Sequence, residues 1–364
     1  MEQIPQIKPW LGKEELKELK EVLQSRWISG GPKIKEFQEK IAKVCGVKHA
    51  ITVCNGTQAL YVGLKILGIG RGDEVIVPDF TFIASANAVV WAGAKPVFVD
   101  IDAKTFNIDP KKIEQALTKK TRAIMPVHLY GQAADMGAVM RIAKKHNLYV
   151  IEDAAQGIGV KFQGKPVGSF GEVGCLSFYA DKTITTGEGG MVLTNDDELA
   201  KKVVILQNQG RVSRGWYFHE YLGYNFRMCD FQAAVGLGQL KKLPLIIKRK
   251  KTIEGLYRKY LKNIPGVELP YIDSRGFNVP FRILILVENP QALMEFLDKK
   301  GIKAGRTFYP LHFQPCYKGR GFKTKGDFSN SINAYERILR LPSGVTLKEK
   351  EIRYVCQKIK EFYK

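Results

Sequence analysis

The sequence predicts an α/β protein: a mostly parallel sheet flanked by helices, followed by a smaller C-terminal α/β domain. Three observations carry this. Between residues 49 and 156, short β-rich runs alternate with helical stretches, the pattern of a parallel sheet with crossover helices. Those runs ("HAITVCN", "DEVIVP", "KPVFVDI", "TRAIMPVHL", "LYVIEDAA") are nearly all apolar, as strands covered on both faces must be. After about residue 262 the rhythm changes, and a chain of 364 residues is too long for one ordinary core.

In chain order, helices are expected at 13–24 and 33–44. The first four strands are then followed by "GTQALYVGLKILGI", "TFIASANAVVWAG", "DPKKIEQAL" and "MGAVMRIAKKHN". "GCLSFY" and "GGMVLTND" read as two more strands, with room for an antiparallel one. A long helix at about 230–262 follows. Beyond it come the strand "VPFRILILVE", a helix at 290–300, "GIKAGRTFYPLH", and helices near 330–340 and 347–362. The division expected is 1–240 for the large domain and 241–364 for the small one.

Composition bounds the function. At 45% hydrophobic and 26% charged, the chain is globular in make-up. No apolar run approaches membrane-spanning length. The opening "MEQIPQIKPW" lacks the basic-then-apolar pattern of a signal peptide. The six cysteines form no C-x-x-C and lie mostly among apolar neighbours. A reduced, cytoplasmic protein is expected, with no metal, since the five histidines are scattered too. Lys plus Arg is 57 against 36 acidic residues, a net +21. No zinc-finger spacing, RNP signature or basic-region heptad accompanies it, so no nucleic-acid partner is expected. The densest basic run, 241–262, carries apolar residues at helical spacing and reads as an amphipathic helix with a solvated basic face. An anionic substrate would feel the same positive field.

In an open α/β sheet, ligands gather beyond the carboxyl ends of the strands. Four places there hold able residues. In "CNGTQAL", Gly56 and Thr57 open a helix whose N–H groups suit an anion, though a plain helix cap is the commoner reading of such a turn. In "VIEDAAQ", Asp153 ends an apolar strand with Gln156 three residues on; it could hold a cation or a protonated ring nitrogen, or simply cap. In "SFYADKTITTGEGG", Lys182 stands between a strand end and a glycine-rich bend. A lone lysine is usually solvated, but a dry setting lets an amine lose its proton and act as a nucleophile. In "YLGYNFRMCDFQAAVGLGQL", Asn225 can donate to phosphate, and Arg227 can grip a carboxylate in a fork or only begin a helix.

Taken in order, "NGTQAL", "TFIASANAV", "EDAAQ", "SFYADKTITTGEGGMVLTND" and "YNFRMCDFQAAVGLGQL" resemble the sugar aminotransferases of the DegT/DnrJ/EryC1/StrS family. The likeness runs from "SRWISGGPKIKEFQEK" through "GRTFYPLHFQPCY" to "ILRLPSG". It implies a fold-type I enzyme dependent on pyridoxal 5′-phosphate (PLP). By resemblance, Lys182 is the Schiff-base lysine; a branch with His there removes a hydroxyl instead. Asp153 pairs with the pyridinium nitrogen, Gln156 lies by the 3-hydroxyl, and Phe82 stacks on the ring. Gly56, Thr57 and Ser177 hold the phosphate. Asn225 reaches the phosphate of an opposing subunit, which implies a homodimer with shared active sites. Arg227 is a candidate for the donor carboxylate, and Tyr309 and His312 for the sugar nucleotide; packing between domains is the other reading of the last two. The implied reaction moves the amino group of L-glutamate onto a nucleotide-linked keto sugar and releases 2-oxoglutarate. "TITTGEGGM" and "RGWYFHEYLGYNFRM" resemble the GDP-perosamine synthase branch most. UDP- or dTDP-linked sugars, or a non-catalytic regulator on the same fold, are the alternatives.

Overall fold

The computed structural model describes residues 3–212, 217–324 and 326–364. Part of the "RGWYFHEYLGYNFRM" stretch, residues 214–216, therefore lies outside the described residues. At the centre is an eight-stranded sheet. In spatial order its strands are His49–Val53, Gly190–Thr194, Val173–Ser177, Tyr149–Asp153, Thr121–Ile124, Glu74–Pro78, Lys95–Val99 and Lys323–Thr324. Gly190–Thr194 runs antiparallel to both its neighbours. The other pairings are parallel.

Strand periodicity divides the apolar runs between two cores. Ile76 packs into one, while Val75 and Val77 pack into the other, because successive side chains leave a strand on opposite faces. Helix Pro32–Cys45 covers the first face with Phe37 and Ile41. Helix Gly56–Ile66 covers the second with Leu60 and Leu64.

A third core is built from the C-terminal residues. Its three-stranded sheet has Ile338–Leu341 in the middle, between Ile283–Leu286 and Gly305–Arg306. The helix expected near 330–340 therefore ends at Arg337. "ILRL" is a strand because it pairs antiparallel with the buried run "ILIL", Leu339 opposite Ile285 and Leu341 opposite Ile283. The first described residues join this core: Ile4 N–H donates to Gly301 O at 2.8 Å, and Lys303 N–H donates to Ile4 O at 2.9 Å.

Helix Asp230–Leu261 joins the cores. Leu237, Leu243 and Ile246 enter the first, and Ile253, Tyr257 and Leu261 enter the third. The 240/241 boundary thus falls inside one continuous helix. Its basic face is not wholly solvated. Lys242 is buried against Glu15 at 2.6 Å and donates to Trp10 O at 2.8 Å. Lys250 is buried and donates to Pro280 O at 3.2 Å. All six cysteines are free; Cys316 is exposed and Cys54 and Cys229 are partly so, while the other three are buried. Among the described residues no helix is long and apolar enough to cross a membrane.

Candidate active site

A cavity of about 400 Å³ opens at the carboxyl ends of the parallel strands. Gly56, Thr57, Phe82, Asp153, Gln156, Ser177 and Lys182 all line it. Each lies at or just beyond a strand end, which is why residues far apart in sequence meet there.

One wall is a helix start. Asn55 is the N-cap of Gly56–Ile66, and its side chain accepts from Gln58 N–H at 2.9 Å. The N–H groups of Gly56 and Thr57 have no partner within the helix. A β-carbon on Gly56 would stand 2.7 Å from Ser177 Cβ, so glycine is what lets the Ser177 hydroxyl lie against this helix end. Gly190 serves the same closeness, since a β-carbon there would stand 2.2 Å from Asn55 O.

The floor is Asp153, 5% exposed. One carboxylate oxygen accepts from Ser85 Oγ at 2.7 Å, the other from Ala155 N–H at 3.1 Å. The neighbouring Glu152 points to the opposite face, as strand alternation requires. There it is buried against His128 at 3.0 Å and accepts N–H bonds from Gly168, Phe170 and Gly171. Gln156 Oε1 accepts from Tyr130 N–H at 2.6 Å. The Phe82 ring is 55% exposed at the mouth, 6.0 Å from the Phe308 ring.

Lys182 is half-buried. Burial lowers its pKa, with Arg282 acting the same way, while Asp181 and Asp153 oppose the shift. Its ammonium lies 4.8 Å from the centre of the Phe281 ring. Arg282, bonded to Asp181, lies 4.2 Å from that same ring.

Four of the candidate residues lie elsewhere. Asn225 is exposed, and its carbonyl accepts from Cys54 Sγ at 3.9 Å. Arg227 is also exposed and donates to Asn208 Oδ1 at 2.9 Å. His312 is held by Asp79 through Nδ1 at 2.7 Å and its own N–H at 2.8 Å, and stacks on Phe328. Tyr309 packs edge-on against Tyr335. None of the four lines the cavity. His312 is largely enclosed by these contacts, while Tyr309 is 42% exposed. Conversely, Ser85 supports the floor, and Arg282, Arg340 and Phe308 line the cavity without having been singled out. The available signal was charge in apolar company: Arg282 opens the run "RILIL", and Arg340 interrupts "ILRL".

The donor set fits PLP. A helix N-terminus with two hydroxyls suits a phosphate, an anchored buried carboxylate suits a ring nitrogen, and a desolvated amine suits an aldehyde.

Comparison with known proteins agrees. The DegT/DnrJ/EryC1/StrS aminotransferase family model matches residues 9–360. The GDP-perosamine synthase of Escherichia coli O157:H7 is 41% identical, over 100% of this chain and 99% of that protein. A UDP-N-acetyl-3-dehydro-alpha-D-glucosamine 3-aminotransferase of Acidithiobacillus ferrooxidans is 38% identical, over 89% of this chain and 87% of its own. The solved structure of S. venezuelae DesV, in complex with a ketimine intermediate, has a TM-score of 0.94. It is 34% identical and covers 100% of this chain and 99% of that one. With the fold, the cavity and a family match spanning nearly the whole chain, this protein belongs to the DegT/DnrJ/EryC1/StrS aminotransferase family and is a PLP-dependent sugar aminotransferase.

Proposed function

We propose that the enzyme moves the amino group of L-glutamate to the keto carbon of GDP-4-keto-6-deoxy-mannose, giving GDP-perosamine. The observation that carries the reading is the union, in one cavity, of Lys182, buried Asp153 and the Gly56 helix start. The substrate choice is supported by whole-chain relatives named as GDP-perosamine synthases, at 38–42% identity. Relatives acting on UDP-linked sugars keep that class as the second reading.

In this reading Gly56 and Thr57 N–H groups and the Thr57 and Ser177 hydroxyls hold the phosphate. Phe82 covers one ring face, Gln156 meets the 3-hydroxyl, and Asp153 meets the ring nitrogen. Bound PLP supplies the electron sink that lets a proton leave the carbon bearing the amine. Lys182 Nζ, its proton weakened by burial, would take that proton from the donor and hold it for return to the reacting groups. For the keto sugar the same nitrogen works in reverse, so one site serves both halves of a ping-pong reaction. Asn225, exposed on its own chain, serves the phosphate of a neighbouring subunit in a homodimer. Residues 1–240 act as the cofactor-binding domain and 241–364 as the smaller one.

Diphosphate is common to GDP, UDP and dTDP sugars, so charge alone does not choose the base. Hydrogen bonds to the base edge do, by leaving buried groups unpaired with the wrong nucleotide. The test is a panel of GDP-, UDP- and dTDP-linked 4-keto-6-deoxy sugars incubated with L-glutamate, the amino sugar being read by mass spectrometry. The GDP compound is expected to give the highest kcat/KM. Turnover of a UDP or dTDP compound with the GDP compound inert overturns the substrate reading and leaves the aminotransferase standing.

A further inference from the structure

A second cavity, of about 60 Å³, lies where helix Asp230–Leu261 meets the segment 269–284. Glu254, Tyr257 and Arg258 line it from the helix, and Asn278 and Arg282 from the segment. Lys182 is not among its lining residues, but Arg282 lines both this cavity and the one that holds Lys182, so the two share a wall. Four polar atoms of the second lining are buried and have no hydrogen-bond partner among the described residues: Tyr257 Oη, Arg258 Nε, Arg282 Nε and Asn278 Oδ1. Tyr257, Arg282 and Asn278 are 1%, 5% and 8% exposed. Buried polar atoms without partners are uncommon in folded proteins, and four around one cavity ask for a common occupant.

The orphaned atoms also say what that occupant offers. Gln132 Oε1 accepts from Asp273 N–H at 2.8 Å, so it is the acceptor that Asn278 Nδ2 meets at 3.1 Å. That leaves Asn278 Oδ1 as an acceptor in need of a donor. Burial raises the Tyr257 pKa well above the usual tyrosine value, so its hydroxyl keeps a proton to donate. Arg282 stays charged at neutral pH, although burial brings its pKa down to about 10. The one carboxylate in the lining, Glu254, stands 3.8 Å from Arg258 Nε, beyond hydrogen-bond reach, and burial disfavours its charge against the pull of Arg258 and Lys251. The site therefore presents three donors, two of them on guanidinium groups, and one acceptor.

We propose that this cavity is a second ligand site, separate from the active site, and that its occupant is bicarbonate, a small planar oxyanion that keeps one O–H. Size and chemistry agree on it. A cavity of about 60 Å³ has room for about four water-sized atoms, and bicarbonate is one carbon and three oxygens. Its charged oxygens accept from the two arginine Nε–H groups and the Tyr257 hydroxyl, as charge-assisted bonds. Its own O–H donates to Asn278 Oδ1. Phe106, Leu129 and Leu269 complete the lining, and bonds made beside apolar walls are stronger than in water. An amino acid or a sugar nucleotide is too large for the space. Separate waters would also fill it, and they are the outcome to be told apart. The proposal does not depend on which sugar the enzyme aminates.

The test follows the melting of holoenzyme in a sealed cell as sodium bicarbonate is added at fixed pH and ionic strength, with chloride as the balancing ion. A ligand that binds only the folded chain raises Tm as its concentration rises past Kd. Bicarbonate is expected to do so, and the dependence of Tm on its concentration gives Kd. Nitrate is planar, of similar size and without an O–H. Its Kd should be higher by about 10-fold or more, the effect of losing one hydrogen bond that involves a charged group. Tyr257→Phe and Arg258→Gln should each raise the bicarbonate Kd by about 10-fold or more for the same reason, and their cofactor absorbance reports folding. Arg340→Gln alters a residue that lines only the Lys182 cavity of the two, and it should respond as the wild type does. No response of the wild type to bicarbonate means that the cavity holds water alone and overturns the proposal. A response that survives unchanged in both cavity variants, or that is lost in Arg340→Gln, places the anion elsewhere and overturns it too. Nitrate binding as well as bicarbonate removes the role of the O–H and overturns bicarbonate as the occupant.

Discussion

In the proposed mechanism Asp153 and Lys182 divide the work of the cavity between a fixed charge and a mobile proton. Asp153 is anchored at both oxygens, by Ser85 and by the Ala155 N–H, so it presents its charge without reorganising. Asp153→Asn keeps the shape and removes the charge. We expect kcat to fall by about 100-fold or more, in the range found when a preorganised electrostatic partner is lost. Cofactor content by absorbance should stay near that of the wild type. A variant with full cofactor and near-normal kcat would show that Asp153 only caps the loop after its strand. Both residues were legible in the sequence because each lies near the carboxyl end of an apolar strand run: Asp153 ends one, and Lys182 follows another ahead of a glycine-rich bend. Arg282 and Arg340 were not. They lie roughly a hundred residues or more past Lys182, and an arginine in a short C-terminal strand reads as an edge charge until the fold brings it to the cavity. Ser85 sits in "TFIASANAV" as an ordinary helix residue, and only the Asp153 contact gives it a task.

Helix Asp230–Leu261 shows what happens when a basic run is also a structural beam. Lys250 is buried against the carbonyls of Pro280 and Phe281. Burial, with Arg282 adding to it and Asp181 opposing, brings its pKa down to about 7. An unfolded chain titrates lysine near ~10.4. Between those values the unfolded chain holds more protons, so stability climbs with pH through that window. Below about 7 the folded chain bears the full penalty of a buried ammonium. Lys250→Met removes the charge and the two carbonyl bonds. The difference in Tm, variant minus wild type, should therefore shift in the variant's favour as pH falls from 9 to 6. A difference that stays constant with pH would mean that Lys250 keeps its proton in the folded chain throughout that range. From sequence the helix and its length were legible, because apolar spacing persists over the whole span. Which lysines turn inward was not, since Lys242 and Lys250 are indistinguishable from their exposed neighbours until Trp10, Glu15 and the Phe281 segment pack on them. The strand Ile338–Leu341 was lost for a related reason. Four residues after a helix carry no period of their own, and the strand that pairs along their whole length, Ile283–Leu286, lies more than fifty residues earlier.

The assembled enzyme offers its own test, because the proposed site draws on two chains. Lys182→Ala and Asn225→Ala proteins are each expected to be impaired. Mixed and allowed to exchange subunits, they form heterodimers in which both lesions fall in one site and the other site is intact. Activity should rise above that of either parent. No recovery after confirmed exchange would mean that Asn225 acts within its own chain, beside Cys54. The chain also closes on itself. Ile4 is hydrogen-bonded to Gly301 and Lys303, Gln6 O accepts from Ser343 N–H, and Trp10 O accepts from Gln239 and Lys242. A ribosome releases these partners in the reverse of the order the arm needs. At ~5–20 residues per second, the first residues wait roughly 15–60 s before residue 300 emerges. Through that interval the sheet around Lys182 can form, but Arg340 and the strand that carries it are still unmade. The nascent chain thus acquires Lys182 well before the wall that completes the pocket around it.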